Sequence, residues 1–128
     1  MSTTTAPAAV ETAVADYIAA WNATDPVRRR ALVARAFADD ATYVVDPLMS
    51  GDGPEQIDTM IAAAQAQHPG HAFTLASGPD VHHDRVRFTW TLSTPAGAPL
   101  AVGLDVATVA KDGRLRHVTG FLDAPAGA

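Results

Sequence analysis

The sequence predicts an α+β fold in which three helices pack on a mostly antiparallel sheet. Two observations predict this class. Apolar residues recur at helical spacing in three segments before residue 70, whereas apolar and polar residues alternate in the segments after residue 72. Helices grouped on one side of such a sheet are typical of α+β proteins. A sheet that curves strongly around the first helix would enclose a pocket.

Each predicted helix has a recognisable start or end. The first is predicted over residues 8–22, where apolar residues lie three or four positions apart. The second begins at Pro26, after two cap candidates, and is expected to run through Phe37. The third begins at Pro54 and ends at His68-Pro69-Gly70, which combines two helix-breaking residues.

One strand is predicted between the second and third helices, and four after them. Asp39-Asp40 is expected to end the second helix, residues 41–46 to form the first strand, and residues 48–53 to form a loop. The later strands are expected near residues 73–75, 85–92, 100–110 and 115–121. The turns between them are predicted at Gly78-Pro79-Asp80, Pro95-Ala96-Gly97 and Lys111-Asp112-Gly113.

Length and composition favour a single compact domain over residues 1–128, with flexible ends at about 1–8 and 123–128. A net charge of -5 argues against binding to nucleic acid or to anionic lipid. The absence of cysteine excludes thiolate nucleophiles and cysteine-ligated metals. No signal-peptide pattern or membrane-length apolar run is present, so a cytoplasmic location is expected.

The histidines and the arginine cluster do not predict a site. In His82-His83-Asp84 the neighbouring side chains of a strand would point to opposite faces, so the motif is expected to be an exposed turn, and no metal or other cofactor is expected. His68 and His71 flank the end of a helix and are expected to be solvated. The run Arg28-Arg29-Arg30 is expected to lie on a helix surface.

Two aspartates interrupt apolar strands. Asp46 ends the run that begins at Ala41 and stands directly before Pro47, and Asp105 lies inside the most apolar strand candidate of the chain. Burial raises the pKa of a carboxyl group, which brings it closer to the range that suits proton transfer at neutral pH. Both aspartates are therefore candidate site residues.

Three segments carry a family resemblance: Ala15-Asp-Tyr17-Ile-Ala-Ala-Trp21, Phe37-Ala-Asp-Asp-Ala-Thr-Tyr-Val-Val-Asp46-Pro47, and the segment from Leu104 to Phe121. They resemble the NTF2-like superfamily, specifically its SnoaL-like polyketide-cyclase and ketosteroid-isomerase-like branch. The resemblance covers about residues 14–122. It implies a cone-shaped α+β fold and a homodimer packed through the sheets.

The resemblance also implies roles for three residues. Asp46 matches the base that moves a proton between substrate carbons, Tyr17 matches a donor to the enolate oxygen, and Asp105 matches a second donor. Two tyrosines that extend the donor network in some isomerases fall at Phe37 and Ile61, so the extended network of those isomerases is not expected here.

Each candidate also has a structural alternative. Asp46 could be a turn residue, Asp105 could pair with an arginine such as Arg87, and Tyr17 could be a core tyrosine. Epoxide hydrolases of the superfamily need an Arg-x-Asp arrangement, whereas the matching strand here has Arg85-Val-Arg87.

The sequence therefore predicts a cofactor-independent acid-base enzyme, an isomerase or aldol-type cyclase, acting on an apolar carbonyl compound. A protein that binds a small hydrophobic molecule without turnover is the alternative, and an epoxide or lactone hydrolase is a third possibility. The residues expected to line the pocket are large and apolar: Trp21, Met49, Met60, Phe73, Phe88, Trp90 and Phe121. Trp90 could instead lie at the dimer face.

Overall fold

The computed structural model describes residues 7–45 and 49–123. Its helices are α1 (Pro7–Asn22), α2 (Pro26–Ala36) and α3 (Gly53–Gln67). Its strands are β1 (Phe37–Val45), β2 (Met49–Asp52), β3 (Ala72–His82), β4 (Arg85–Ser93), β5 (Pro99–Val109) and β6 (Leu115–Leu122). The ends expected to be flexible lie mostly outside these ranges, but Pro7 and Ala8 belong to α1. None of the helices in the described ranges is long and apolar enough to span a membrane.

The strands form one curved, open sheet in the order β2-β1-β6-β5-β4-β3. Neighbouring strands are antiparallel except for β1 and β6, which run parallel, and the long stretch of chain between them permits this pairing. The three helices pack on this sheet, and their buried residues form one core with its inner face. The predicted α+β cone is therefore confirmed.

Polar contacts fix the helices over the sheet. The Asn22 amide closes a pair of hydrogen bonds with the backbone of Phe73, at 2.9 and 2.8 Å, which joins the end of α1 to β3. Gln65 of α3 donates to the backbone oxygens of Trp21 and Ala23, at 3.0 and 2.8 Å, just where α1 ends. Since orphan carbonyls at a helix end need donors, these bonds hold α1 and α3 in fixed relative positions.

Arg29 corrects the expectation that the arginine run lies entirely on the surface. Its side chain is buried, and it donates to Asp58 of α3 at 2.8 Å and to Gln65 at 3.2 Å. Arg28 and Arg30 remain exposed. The central arginine therefore ties α2 to α3, because a buried guanidinium requires polar partners.

The predicted boundary between α2 and β1 is wrong by four residues. The helix ends at Ala36, and Asp39 and Asp40 belong to β1. Asp40 pairs with Arg116 at 2.7 Å, and Asp39 lies 3.4 Å from Arg114. These pairings join segments that are distant in the chain, which is why local helix-ending signals did not show them.

Two other local predictions are also wrong. Residues 49–52, expected to be part of a loop, form the short strand β2 against β1. Gly78-Pro79-Asp80 lies inside β3, at an irregularity in its pairing with β4, and the chain turns instead at His83, whose φ is 55°. His82, His83 and Asp84 are exposed, as expected.

Candidate active site

A cavity of about 380 Å³ lies between α1, the end of α3 and the inner face of the sheet. This volume is typical of pockets for small organic molecules. Most of its lining is apolar. Polar side chains reach it from two places, the tyrosines Tyr17 and Tyr43 and the pair Gln67 and His68 at the end of α3.

Three buried side chains form a hydrogen-bonded chain beside the cavity. The Tyr17 hydroxyl donates to Oδ2 of Asp105 at 2.5 Å, and the Tyr43 hydroxyl lies 2.7 Å from that of Tyr17. Tyr17 and Tyr43 are each 2% exposed, and Asp105 is 0% exposed. The tyrosines line the cavity, whereas Asp105 lies behind the lining residues Tyr17 and Trp90. We call these three residues the hydroxyl-carboxyl chain.

Two glycines leave the space that this arrangement needs. Gly120 faces Asp105 across β5 and β6, and a Cβ at Gly120 would lie 2.7 Å from Oδ1 of Asp105. A Cβ at Gly103 would lie 2.2 Å from the indole ring of Trp90. Since such distances are too short for real contacts, a side chain at either position would displace Asp105 or Trp90.

No cation neutralises Asp105 within the part of the chain that the structure describes. Arg87, the suggested partner, instead pairs with Asp80 at 3.1 Å on an exposed surface. That alternative is wrong because Arg87 neighbours Phe88, which lies opposite Asp105, and adjacent residues in a strand point to opposite faces. Oδ1 of Asp105 also lacks a hydrogen-bond partner among the described residues.

Burial is therefore the largest influence on the pKa values of the hydroxyl-carboxyl chain. It raises the pKa of Asp105 to about 6, although hydrogen bonding by Tyr17 and by the Trp90 indole acts to lower it. Burial, together with the charge of Asp105, also raises the pKa of Tyr17 and of Tyr43 well above the usual value. The tyrosines thus keep their protons, and Asp105 changes its protonation state near neutral pH.

A SnoaL-like domain model matches residues 14–118 of the chain. The chain belongs to the SnoaL-like family. A search of curated protein sequences finds no significant match.

Solved structures agree with this membership. A provisionally named isomerase of the SnoaL-like family from Agrobacterium tumefaciens strain C58 is 44% identical, with a TM-score of 0.84, over 91% of this chain and 99% of that one. A provisionally named SnoaL-like polyketide cyclase from Jannaschia sp. CCS1 is 19% identical, with a TM-score of 0.70, over 90% of this chain and 85% of that one. A protein from Catenulispora acidiphila with a ketosteroid isomerase-like fold, in complex with trimethylamine, is also 19% identical, with a TM-score of 0.68. The match covers 84% of this chain and 82% of that one.

Four of the predicted site residues line the cavity of this SnoaL-like domain: Tyr17, Trp21, Phe73 and Trp90. The ring centroids of Trp21 and Phe73 are 5.1 Å apart, and those of Phe73 and Trp90 are 5.2 Å apart. These three rings form a continuous aromatic wall. Trp90 therefore faces the cavity and not the outer surface of the sheet.

Three predicted pocket residues do not line the cavity. Phe88 is buried behind it and packs edge-on against Tyr17, and Met60 of α3 is buried beside Gly51 of β2. Phe121 is 53% exposed, and Leu122 lines the cavity in its place. The pairing of β6 with β5 shifts between Leu115 and Val118, so the residues that face inward change from odd to even positions.

Asp46 and the side chain of Met49 lie outside the described residues. Val45, which precedes Asp46 in the sequence, lines the cavity. Among the described residues, no group of three or more histidine, aspartate or glutamate side chains is placed to hold a metal ion.

Tyr43 and His68 are site residues that the sequence interpretation missed. Phe37 and Ile61 are buried apolar residues without a hydroxyl, but Tyr43, which the sequence interpretation did not consider, supplies one to Tyr17. Tyr43 and Val45 lie two positions apart in an apolar strand, so their side chains share one face, and this spacing indicates an inward tyrosine. His68, expected to be solvated, is exposed and contributes to the cavity lining.

The pKa of Asp105 predicts a pH-dependent stability. Its folded value of about 6 lies above the ordinary value of 3.8, so this group favours the folded state below 3.8, and that contribution is lost as pH rises to about 6. We expect the unfolding free energy of the wild type, measured relative to Asp105→Asn, to fall by about 2 kcal/mol between about pH 4 and about pH 8. Urea unfolding monitored by circular dichroism measures this difference.

The exposed carboxylate Asp80 provides a matched control on the same sheet. Asp80→Asn should change the unfolding free energy little at either pH, because exposed ion pairs contribute little. If the unfolding free energy of the wild type and that of Asp105→Asn changed with pH in parallel, the result would contradict a raised pKa of Asp105.

Proposed function

We propose that this SnoaL-like protein is a cofactor-independent acid-base enzyme, an isomerase or aldol-type cyclase, that acts on a small apolar carbonyl compound. The observation that carries the proposal is the hydroxyl-carboxyl chain beside an apolar cavity. Its hydroxyls can bind a carbonyl oxygen, while the aromatic wall excludes water from the rest of the substrate.

Hydrogen-bond donors fixed in an apolar site stabilise an enolate oxygen more than donors in water do. Tyr17 and Tyr43 are held in place by their mutual bond and by Asp105, so they need little reorganisation when charge develops. Loss of one such donor typically reduces turnover about 100-fold or more.

Asp46 is the proposed base. It follows Val45, which lines the cavity, but its own position lies outside the described residues, so this role rests on the sequence. General-base catalysis by a positioned carboxylate contributes about 100-fold to 10,000-fold in rate.

The similar structures support the proposal at different levels. The Agrobacterium protein, at 44% identity, carries an isomerase name. The Catenulispora protein holds trimethylamine, which supports small-molecule binding in this fold, although its 19% identity supports the fold alone.

Exchange of the protons beside a ketone carbonyl tests the activity. We expect the protein to accelerate deuterium incorporation into 2-tetralone in D2O, because Asp46 would remove the proton and the tyrosines would bind the resulting enolate. Asp46→Asn should reduce the rate above background by about 100-fold or more. Proton NMR follows the loss of the exchanging signals.

Asp39→Asn serves as the control, since Asp39 is exposed and lies outside the cavity. Binding of 2-tetralone without faster exchange would favour a ligand-binding protein without turnover. Incorporation of labelled solvent oxygen into the hydroxy acid formed from a lactone, or into the diol formed from an epoxide, would favour a hydrolase instead.

We also propose a homodimer formed through the outer face of the sheet. Val44, Val106 and Phe121 are 45%, 37% and 53% exposed, and their strands β1, β5 and β6 are adjacent in the sheet. A second copy packed on this apolar face would cover all three residues.

Val106→Arg should convert the dimer to a monomer, because a charge would be buried in the interface. Sedimentation velocity measures the change in mass. Val27→Arg is the control, since Val27 is 68% exposed on α2. A wild-type monomer at all accessible concentrations would contradict the dimer.

A further inference from the structure

The hydroxyl-carboxyl chain contains two internal hydrogen bonds, and the protons available to form them can be counted. Each tyrosine hydroxyl carries one proton, and Asp105 carries one proton or none. The bonds between Tyr17 and Asp105 and between Tyr43 and Tyr17 each use one proton. The number of hydroxyl protons left for a molecule in the cavity therefore depends on Asp105.

When Asp105 is ionised, no proton is left over. A carboxylate can only accept, so the Tyr17 proton is directed to Asp105. The Tyr43 proton is then directed to the Tyr17 oxygen, 2.7 Å away, because that oxygen has no other proton to give. In this state the cavity presents acceptors but no hydroxyl donor.

When Asp105 is protonated, one proton is left over. The carboxylic acid can donate to the Tyr17 oxygen, which frees one hydroxyl proton of the tyrosine pair. Both tyrosines line the cavity, so either can give that proton to a ligand oxygen. In this state the tyrosine pair presents one hydroxyl donor to the cavity.

We infer that Asp105 acts through Tyr17 as a positioning residue that sets whether the tyrosine hydroxyls can donate a hydrogen bond into the cavity, so that the protein takes up one proton when these hydroxyls bind a carbonyl oxygen. This inference rests on the proposed function and deepens it, because it makes the favoured substrate a hydrogen-bond acceptor and not a hydrogen-bond donor. It differs from direct donation by Asp105, which does not line the cavity.

The surroundings of Asp105 leave it free to act in this way. The groups that face it are Tyr17 from α1, Trp90 from β4 and Gly120 from β6, with Tyr43 from β1 reached through Tyr17. No lysine, arginine or histidine in residues 7–45 or 49–123 forms an ion pair with it. Burial raises its pKa to about 6, so both protonation states are accessible near neutral pH.

A pair of ligands with the same skeleton tests the inference. The ketone 2-tetralone offers an acceptor oxygen, tetralin offers none, and neither titrates in this range. For the wild type we expect the ketone to bind about tenfold more tightly than tetralin at about pH 5, and about equally at about pH 8. Quenching of tryptophan fluorescence can measure both affinities, because Trp21 and Trp90 line the cavity.

Three variants separate the coupling from a merely structural effect. Asp105→Asn should give the same affinity ratio at both pH values, because the titrating group is gone. Tyr17→Phe should also give a pH-independent ratio, and one above unity, because Tyr43 then keeps its own proton for the ligand. Tyr43→Phe should retain the pH dependence, because Tyr17 still connects the cavity to Asp105.

The outcomes distinguish this inference from the proposed function. A wild-type ratio that is equal at both pH values, or a pH dependence that persists in Asp105→Asn, overturns the inference while leaving the proton-exchange activity to stand. If neither ligand binds, the proposed function fails, and the inference fails with it. Circular dichroism of each variant confirms that it is folded.

Discussion

The hydrogen bond between Tyr17 and Asp105 is the interaction on which the rest of the site depends. It joins the first helix to the middle of the sheet inside the core, where a carboxyl group has little compensation for lost water. No described cation relieves that cost, and Gly120 leaves space where a side chain would collide with Asp105. The core therefore holds a carboxyl group in an unfavourable environment, which is typical of functional sites.

The architecture keeps this bond next to an apolar cavity. Asn22 joins α1 to β3, and Gln65 and Arg29 connect the three helices to one another. These contacts lie away from Tyr17 and Asp105, so they hold the helices over the cavity without taking part in the hydroxyl-carboxyl chain.

The sequence predicted the fold and part of the site for definite physical reasons. Tyr17 follows the apolar stripe of α1, and Asp105 interrupts an apolar strand, so both buried positions could be found from local pattern. The assignment of Phe121 failed because a shift in the β5–β6 pairing reverses the inward positions, and such a shift is invisible in periodicity alone. The role of Tyr43 depends on a contact with Tyr17 across 26 residues, which only the folded chain establishes.

The most direct test of the central claim is a carbon-13 NMR titration of the Asp105 carboxyl group, with the ring carbons of Tyr17 and Tyr43 observed in the same sample. The structure predicts that the carboxyl signal titrates near 6, and that both tyrosine signals shift over the same pH range without ionising. A carboxyl group that titrates near the ordinary value of 3.8, or tyrosine signals that do not respond to it, would contradict a coupled buried chain.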